Sequence, residues 1–408
     1  MDTRVRLLQW LLLAVLLRVG FVWYHAQLGW NLQYDAGYYL ALAQHLTHGV
    51  YSLFHPLDIP DTTRMPGYPW LIHQLGDSVL AVLILQALLS AAKVLLVHRL
   101  AYTIGLPPRG ALLAAALMVL EPIDILLSGS LLTESCFTTA MLAGTLLLVQ
   151  RPRSWSAIMG AALCFAVAAW LRANGLLLGL TAAGIAAMAL RMPRWGGLAF
   201  AATIVLLVTP WMLRNRAETG RLILSDSGTV AAAHFHLTEV LTTAGDPRAT
   251  NYRQQLYEQA ARTDWEDRVS AAAYFTELRH ELSRTFLAHP LAWSAVQLRT
   301  AAGILVAPGR GHIATYFGTG LLAQAIISFS MLYSALVVLT ILLCVLHWRR
   351  LPAGLVVLLV LAGAVLISGG ISTTDARFKA PAMPLLLVSS AWAIEEIRKG
   401  LLRRGRRG

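Results

Sequence analysis

Ten long apolar runs fix the solvent in which this chain folds. They cover residues 7–23, 79–97, 111–127, 136–149, 156–171, 175–190, 198–213, 321–346, 355–371 and 380–394. A helix needs about 20 apolar residues to cross ~30 Å of hydrocarbon, and in lipid its backbone polar groups must be paired within the segment. The runs therefore predict an all-α polytopic membrane protein with about ten transmembrane helices. Composition agrees, with 57% of 408 residues hydrophobic and 13% charged, where a soluble domain carries roughly one-quarter charged residues. The first run follows Arg4 and Arg6 as a signal peptide would, but the bulky FVWYHAQL after it offers no small-x-small cleavage site, so it is expected to stay as a span.

Loop charge predicts the orientation. The loops holding Arg99 and Arg109, Arg151 and Arg153, Arg191 and Arg194, and Arg349 and Arg350 contain no acid, and the tail RKGLLRRGRRG carries six bases in eleven residues. These ends are expected in the cytoplasm, with both termini there. All of the 21 acidic residues then face outward except Asp2, Glu395 and Glu396. The net charge of +12 is accounted for by these topogenic bases and by contact with anionic membrane lipids, so it does not indicate nucleic acid. Cys136, Cys164 and Cys344 lie in apolar runs and form neither a disulfide framework nor a CxxC site.

Two polar stretches interrupt the runs, at residues 25–77 and 215–320. They divide the chain into an N-terminal membrane module (1–214) with a first outer loop (26–77), an extracytoplasmic helical segment (215–320), and C-terminal spans with a basic tail (321–408). After Asp35, the residues Tyr39, Leu42, Ala43, Leu46 and Val50 recur at helical spacing, which predicts an interfacial helix. Phe275, Leu278, Leu282 and Phe286 predict another helix, stopped by His289 and Pro290. Residues 291–308 are apolar enough to lie on or dip into the outer surface.

Asp35 stands in WNLQYDAGYYLALAQHL, just where the first span ends. A carboxylate at a membrane boundary must be solvated, paired or chemically employed, and here it is a candidate general base. Cations that topology does not require stand at the outer helix ends: Arg64, Arg172 in WLRANG, Arg214 and Arg216 after Pro210, and Arg377 and Lys379 in DARFKAP. Guanidinium groups gathered at a membrane surface suit a phosphate, which accepts paired donors. Each of them alone could equally snorkel or pair with an acid such as Asp375. A second outward carboxylate, Glu134, opens a helix in LLTES, where an acid in the first turn also stabilises the helix end. Glu121 and Asp124 read as the solvated end of a span, and Lys93 as reaching the inner surface beside His98 and Arg99.

Asp35 after the first span, RMPGYP closing the first outer loop, LLTES opening the fourth span, TPWMLRNR ending the seventh with GRLILSDSG after it, AHPLAW, and ARFKAPAMPLLL at the last resemble, in order, the bacterial GT-C glycosyltransferases. The nearest branch is that of the protein mannosyltransferases and aminoarabinose transferases, which use polyprenyl-phosphate sugars. The resemblance implies a GT-C helix bundle with its active site under extracytoplasmic loops and interfacial helices, in a bacterial inner membrane. It also implies a polyprenyl-phosphate sugar donor and an extracytoplasmic lipid, glycan or protein acceptor. Asp35 takes the place of the family's first-loop catalytic aspartate and Glu134 that of its second acid, while Arg64 matches the basic residue near the donor phosphate. Asp35 lacks the acidic neighbour of the protein mannosyltransferases, and the chain is shorter than the aminoarabinose transferases.

One base and direct displacement predict inversion at the anomeric carbon and require no cofactor. A divalent metal could draw on His25, His45, His48, His55, His234 and His236, but no ligand motif indicates one. Tyr34, Tyr38 and Tyr68 belong to an aromatic belt and are candidates to border a sugar pocket. Gly175 and Gly179 have the spacing of generic helix packing. A lipid-linked sugar flippase is the alternative, favouring broken helices and ionisable groups near mid-membrane. With candidate charges at outer ends and midplanes of Leu, Ala and Val, the transferase is the preferred reading.

Overall fold

The computed structural model describes residues 3–30, 32–33, 35–53 and 59–404; Tyr34 and His55 lie outside the described residues, as does Asp2. The elements within it are helical, and an isolated antiparallel bridge joins Ser52 to Pro60. After α1 (Thr3–Gln27), the first loop carries two short helices, α2 (Ala36–His45) and α3 (Gly67–Gln74). Then follow α4 (Val79–Thr103), α5 (Pro108–Val119), α6 (Pro122–Ser128), α7 (Glu134–Gln150), α8 (Trp155–Leu171), α9 (Asn174–Ala189) and α10 (Gly196–Thr219). The next segment folds as α11 (Ser227–Ala231), α12 (Leu237–Ala244), α13 (Tyr252–Arg262), α14 (Arg268–Ala288), α15 (Pro290–Val306) and α16 (Arg310–Phe317). The described chain ends with α17 (Leu321–Leu346), α18 (Ala353–Gly369) and α19 (Met383–Arg404).

Each of the ten apolar runs is largely helical, and the helices differ in length. Among the described residues, α1, α4, α10 and α17 are long and apolar enough to cross a membrane singly. The run 111–127 is not one straight helix: α5 and α6 meet at a 54° bend. At 1.5 Å per residue, the 17 residues of α8 and of α18 reach about 25 Å, at the lower end of what a span uses. Inside the bundle, α19 packs against α4, α5, α17 and α18. Its residues Leu385 to Val388 and Ala391 to Ala393 are buried, as expected of a helix that is apolar on all sides.

The interior of the bundle is not uniformly apolar. Arg18 on α1 is fully buried and donates to Asp124 Oδ2 at 2.8 Å and to Ser90 Oγ at 2.6 Å. Lys93 pairs with the other oxygen of Asp124, so it turns inward and does not reach the surface beside Arg99. Asp124 and Glu121 are likewise buried and do not form a solvated helix end. The bend explains the arrangement, because breaking a helix strands carbonyls at the end of one half and N–H groups at the start of the other. Arg18 also donates to the carbonyls of Met118 and Val119 at 3.1 and 3.3 Å, and the Glu121 carboxylate accepts from the Asp124 N–H. The stranded groups are thus capped by ions.

In the first loop, Tyr39, Leu42 and Ala43 form the buried face of α2, which packs on α3. The helix stops sooner than its spacing predicts: Leu46 to His48 tighten into a 3-10 turn, and Gly49 then takes φ 72°, so Val50 leaves that face. Leu237, Leu241, Tyr252, Leu256, Tyr274 and Leu278 make a separate small core for α12 to α14. The turn between α14 and α15 falls at His289 and Pro290, where proline at the first helical position costs no hydrogen bond. Most of residues 291–308 falls in α15, which ends at Val306 and packs on α17 and α18.

Candidate active site

Asp35 immediately precedes α2 but makes no capping bond to it. Its carboxylate turns to two arginines from distant parts of the chain. Arg64 Nη2 donates to Oδ1 at 2.8 Å, and Arg377 Nη1 lies 3.6 Å from Oδ2. Arg64 is set by Asp61, whose Oδ1 accepts from the Thr63 N–H and hydroxyl at 2.9 and 2.6 Å and whose Oδ2 accepts from the Arg64 N–H at 3.1 Å. The Arg64 guanidinium also stacks 5.1 Å from the centre of the Tyr38 ring. Arg377 is fixed by Asp375, which accepts its backbone N–H at 2.9 Å and pairs with His312 at 2.9 Å.

A second ion pair flanks this one. Glu134 opens α7 and accepts from Arg172 Nη1 at 2.8 Å, with the Arg172 guanidinium 5.8 Å from the ring centres of both Phe137 and Phe378. Among the described residues, Glu134 Oε2 is buried without a hydrogen-bond partner. The side chain of Asp35 is 31% exposed and that of Glu134 only 3%, so a ligand from solvent reaches Asp35 first. Arg64, Arg172 and Arg377 converge here with four carboxylates, Asp35, Glu134, Asp61 and Asp375, so each guanidinium group has an acid beside it.

The motif RMPGYP has a geometric reason. A Cβ on Gly67 would stand 2.7 Å from the carbonyl oxygen of Trp170, so only glycine lets α3 start against the end of α8. That contact sets the Arg64 loop beside Arg172, two residues beyond Trp170. The segment after α10 is tied to the same loop: Thr62 Oγ1 donates to Asp226 at 2.7 Å, and Asp226 also takes Arg221 and Arg279 at 3.0 and 2.5 Å. Asp226, in GRLILSDSG, thereby joins the first loop to α14.

Burial alone would lift the Asp35 carboxyl, but Arg64 and Arg377, with a hydrogen bond from Arg64 and the field of Arg172, outweigh it and hold the group below the ordinary carboxylate range. Tyr39 responds in the opposite sense: burial, then the charge of Asp35, pushes its phenol up to about 12, so it stays a neutral hydroxyl.

Of the residues singled out from sequence, the fold brings Asp35, Arg64, Arg377, Glu134, Arg172 and Tyr38 together. Others are directed elsewhere. Arg214 donates to the carbonyls of Asp61 and Tyr51 at 3.0 and 3.2 Å and stacks on Trp211, clamping the loop backbone. Lys379 is buried and gives its protons to Ala307 O at 2.6 Å and Ser334 Oγ at 2.8 Å, holding the end of α15. Tyr68 is fully buried, with its hydroxyl on Gln86 and its ring edge-on to Tyr39. Sequence reasoning missed Asp61 and Tyr39. The run Asp61-Thr-Thr-Arg before Pro66 carries the signal of an Asx turn.

The histidines are dispersed: His25 Nδ1 lies 2.7 Å from Gly129 O, His45 Nδ1 2.5 Å from Ser52 O, and His236 packs on Trp293. Among the described residues, no group of three or more His, Cys, Asp or Glu is placed to hold a metal ion.

No protein-family model and no curated protein sequence matches this chain. Among solved structures, the chain is similar to ArnT from Cupriavidus metallidurans bound to undecaprenyl phosphate, at 13% identity and TM-score 0.42, over 95% of this chain and 76% of that one. It is also similar to ArnT from the same organism in the apo state, at 13% identity and TM-score 0.35, over 88% of this chain and 73% of that one.

Proposed function

We propose that this protein is an integral membrane glycosyltransferase that moves a sugar from a polyprenyl-phosphate donor to an acceptor hydroxyl on the extracytoplasmic side of a bacterial inner membrane. What carries the reading is the Asp35 carboxylate, partly open to solvent and held between Arg64 and Arg377 beside the Glu134 and Arg172 pair. In the reaction, the Asp35 carboxylate takes the proton of the acceptor hydroxyl as that oxygen bonds to the anomeric carbon. The bond from the anomeric carbon to the phosphate oxygen breaks, and the polyprenyl phosphate leaves with the electron pair. A single displacement inverts the anomeric centre. Preorganised guanidinium groups stabilise the charge that builds on the leaving oxygen.

The same arginines explain how a strongly paired carboxylate can act as a base. A general base works best with a pKa near the working pH, and Arg64 and Arg377 depress that of Asp35. A donor phosphate competes for both guanidinium groups and loosens their hold on the carboxylate, so Asp35 gains basicity when the donor is bound. Glu134 stands behind as the second acid, positioned by Arg172. The scheme uses no cofactor and leaves the acceptor open among lipid, glycan and protein.

A specific observation favours the flippase as second reading: the buried Arg18, Asp124 and Lys93 cluster at the broken helix is of the kind that alternating-access transporters use. One experiment separates the two. Purified wild type and Asp35→Asn are offered radiolabelled polyprenyl-phosphate sugars with native membrane extract, and the transferase predicts a loss of about 10²- to 10⁴-fold in the variant with donor binding retained. Absence of transfer by wild type with every donor would move the reading to the flippase.

A further inference from the structure

The Asp35 site adjoins a cavity of about 340 Å³, within the range of about 300–1,000 Å³ for small-molecule pockets. One wall is Tyr38 and Arg64; the other is Trp265 with Arg268, Ala272 and Phe275 of α14. Arg64 belongs to both places, since the guanidinium that lines the cavity is the one that donates to Asp35.

The chemistry of the walls narrows what fits. The polar groups of the floor are already used: Asp61 accepts from Thr63 and Arg64, Thr62 donates to Asp226, and the Trp265 indole N–H donates to Ala260 O at 2.9 Å. What the cavity offers a ligand is aromatic surface from Tyr38, Trp265 and Phe275, with guanidinium groups at its edge. Arg64 lies 5.1 Å from the centre of Tyr38 and Arg221 5.4 Å from that of Phe275. An alkyl chain would match the rings and waste the cations. A free phosphate would match the cations and waste the rings. A pyranose matches both, with an apolar C–H face for an aromatic ring and hydroxyl oxygens for N–H donors on its rim. The walls come from the first loop, from Thr219 at the end of α10 with Arg221 after it, and from Trp265 with α14.

We propose that this cavity is the acceptor subsite and that it takes a pyranose by its C–H face, one guanidinium away from Asp35. The assignment of the sugar as acceptor rests on the transferase reading, whereas the sugar site itself does not. The test is saturation-transfer NMR on the full-length protein in lipid nanodiscs, with methyl glucoside, galactoside and mannoside as probes. Two variants are compared: Ala272→Trp, which fills the cavity from α14, and Trp265→Ala, which removes one platform; both are first checked for unchanged thermal unfolding. The expected result is saturation of the C–H protons on one face of at least one pyranoside in wild type, weakened about tenfold in both variants, with polyprenyl-phosphate binding unchanged. Equal saturation in all three proteins, or none for any pyranoside, overturns the proposal even if Asp35→Asn abolishes transfer. Saturation lost in the variants without any sugar transfer by wild type upholds the sugar site and refutes the transferase reading alone.

Discussion

Arg64 reaches across 29 residues of the first loop to bring Nη2 within 2.8 Å of Asp35 Oδ1, and on the transferase reading this pair sets the acid side of the pH response. Because the Asp35 carboxyl is held below its ordinary value of 3.8, the stabilisation it contributes is complete above pH 3.8 and is lost as the pH falls through its lower native value. The acid limb of kcat/KM in wild type is therefore expected below the usual carboxylate range. In Arg64→Gln the limb is expected to move to higher pH while activity falls, since on the transferase reading the variant loses a phosphate contact as well. A pH profile of both proteins checks this, and an unmoved acid limb would sink the assignment of Asp35.

Glu134 and Arg172 form the more buried of the two pairs. Removing one partner from such a pair costs about 3–5 kcal/mol because the other charge is left uncompensated. Arg172→Met strands Glu134, which is 3% exposed, and is expected to destabilise more than Glu134→Gln, which leaves Arg172 between two rings with partial access to water. The double variant is expected to recover part of the loss. A double-mutant cycle on unfolding midpoints measures the coupling, and simple additivity would refute it.

The interior cluster makes a different ranking. Asp124→Asn takes from the buried Arg18 and Lys93 the carboxylate that both pair with and loosens Arg18 as a cap on the carbonyls at the end of α5, so a loss of about 3–5 kcal/mol is expected. Lys93→Met is expected to cost much less, because Arg18 still neutralises Asp124 at 2.8 Å. Thermal unfolding of both variants in the same lipid decides the order. Equal losses would mean that Lys93, not Arg18, is the main partner.

These residues also mark where sequence reasoning reached its limit. Hydropathy located every apolar run, because a lipid-facing or buried helix must be apolar whatever its neighbours are. Asp35, Arg64 and Arg377 stand out in the sequence as ions at helix ends, which are costly unless paired or used, and the fold brings the three together. Lys93 and Asp124 were misjudged for a reason of packing. One is near the middle of α4 and the other opens α6, and nothing local tells that a bend of 54° brings them into contact. For Arg214 and Lys379 the chain shows a cation at a helix end, but only the fold shows that backbone carbonyls accept hydrogen bonds from it.

Gly67 offers the cleanest test of how the loop sets the site. Its missing side chain lets α3 approach the carbonyl of Trp170, and a methyl group there would sit 2.7 Å from that oxygen, which is backbone and cannot rotate away. Overpacking of this sort costs about 1–3 kcal/mol, and here the strain falls between Arg64, three residues before Gly67, and Arg172, two after Trp170. Gly67→Ala is therefore expected to lower kcat of transfer and weaken donor binding with only a modest drop in unfolding temperature. Gly37→Ala, on α2 two residues from Asp35, has open space where its Cβ would go and should leave both unchanged. Donor binding and turnover measured on the two alanine variants separate a close-packing requirement from a general intolerance of change near the site. If both glycines tolerate alanine equally, the contact with Trp170 does not position the arginines.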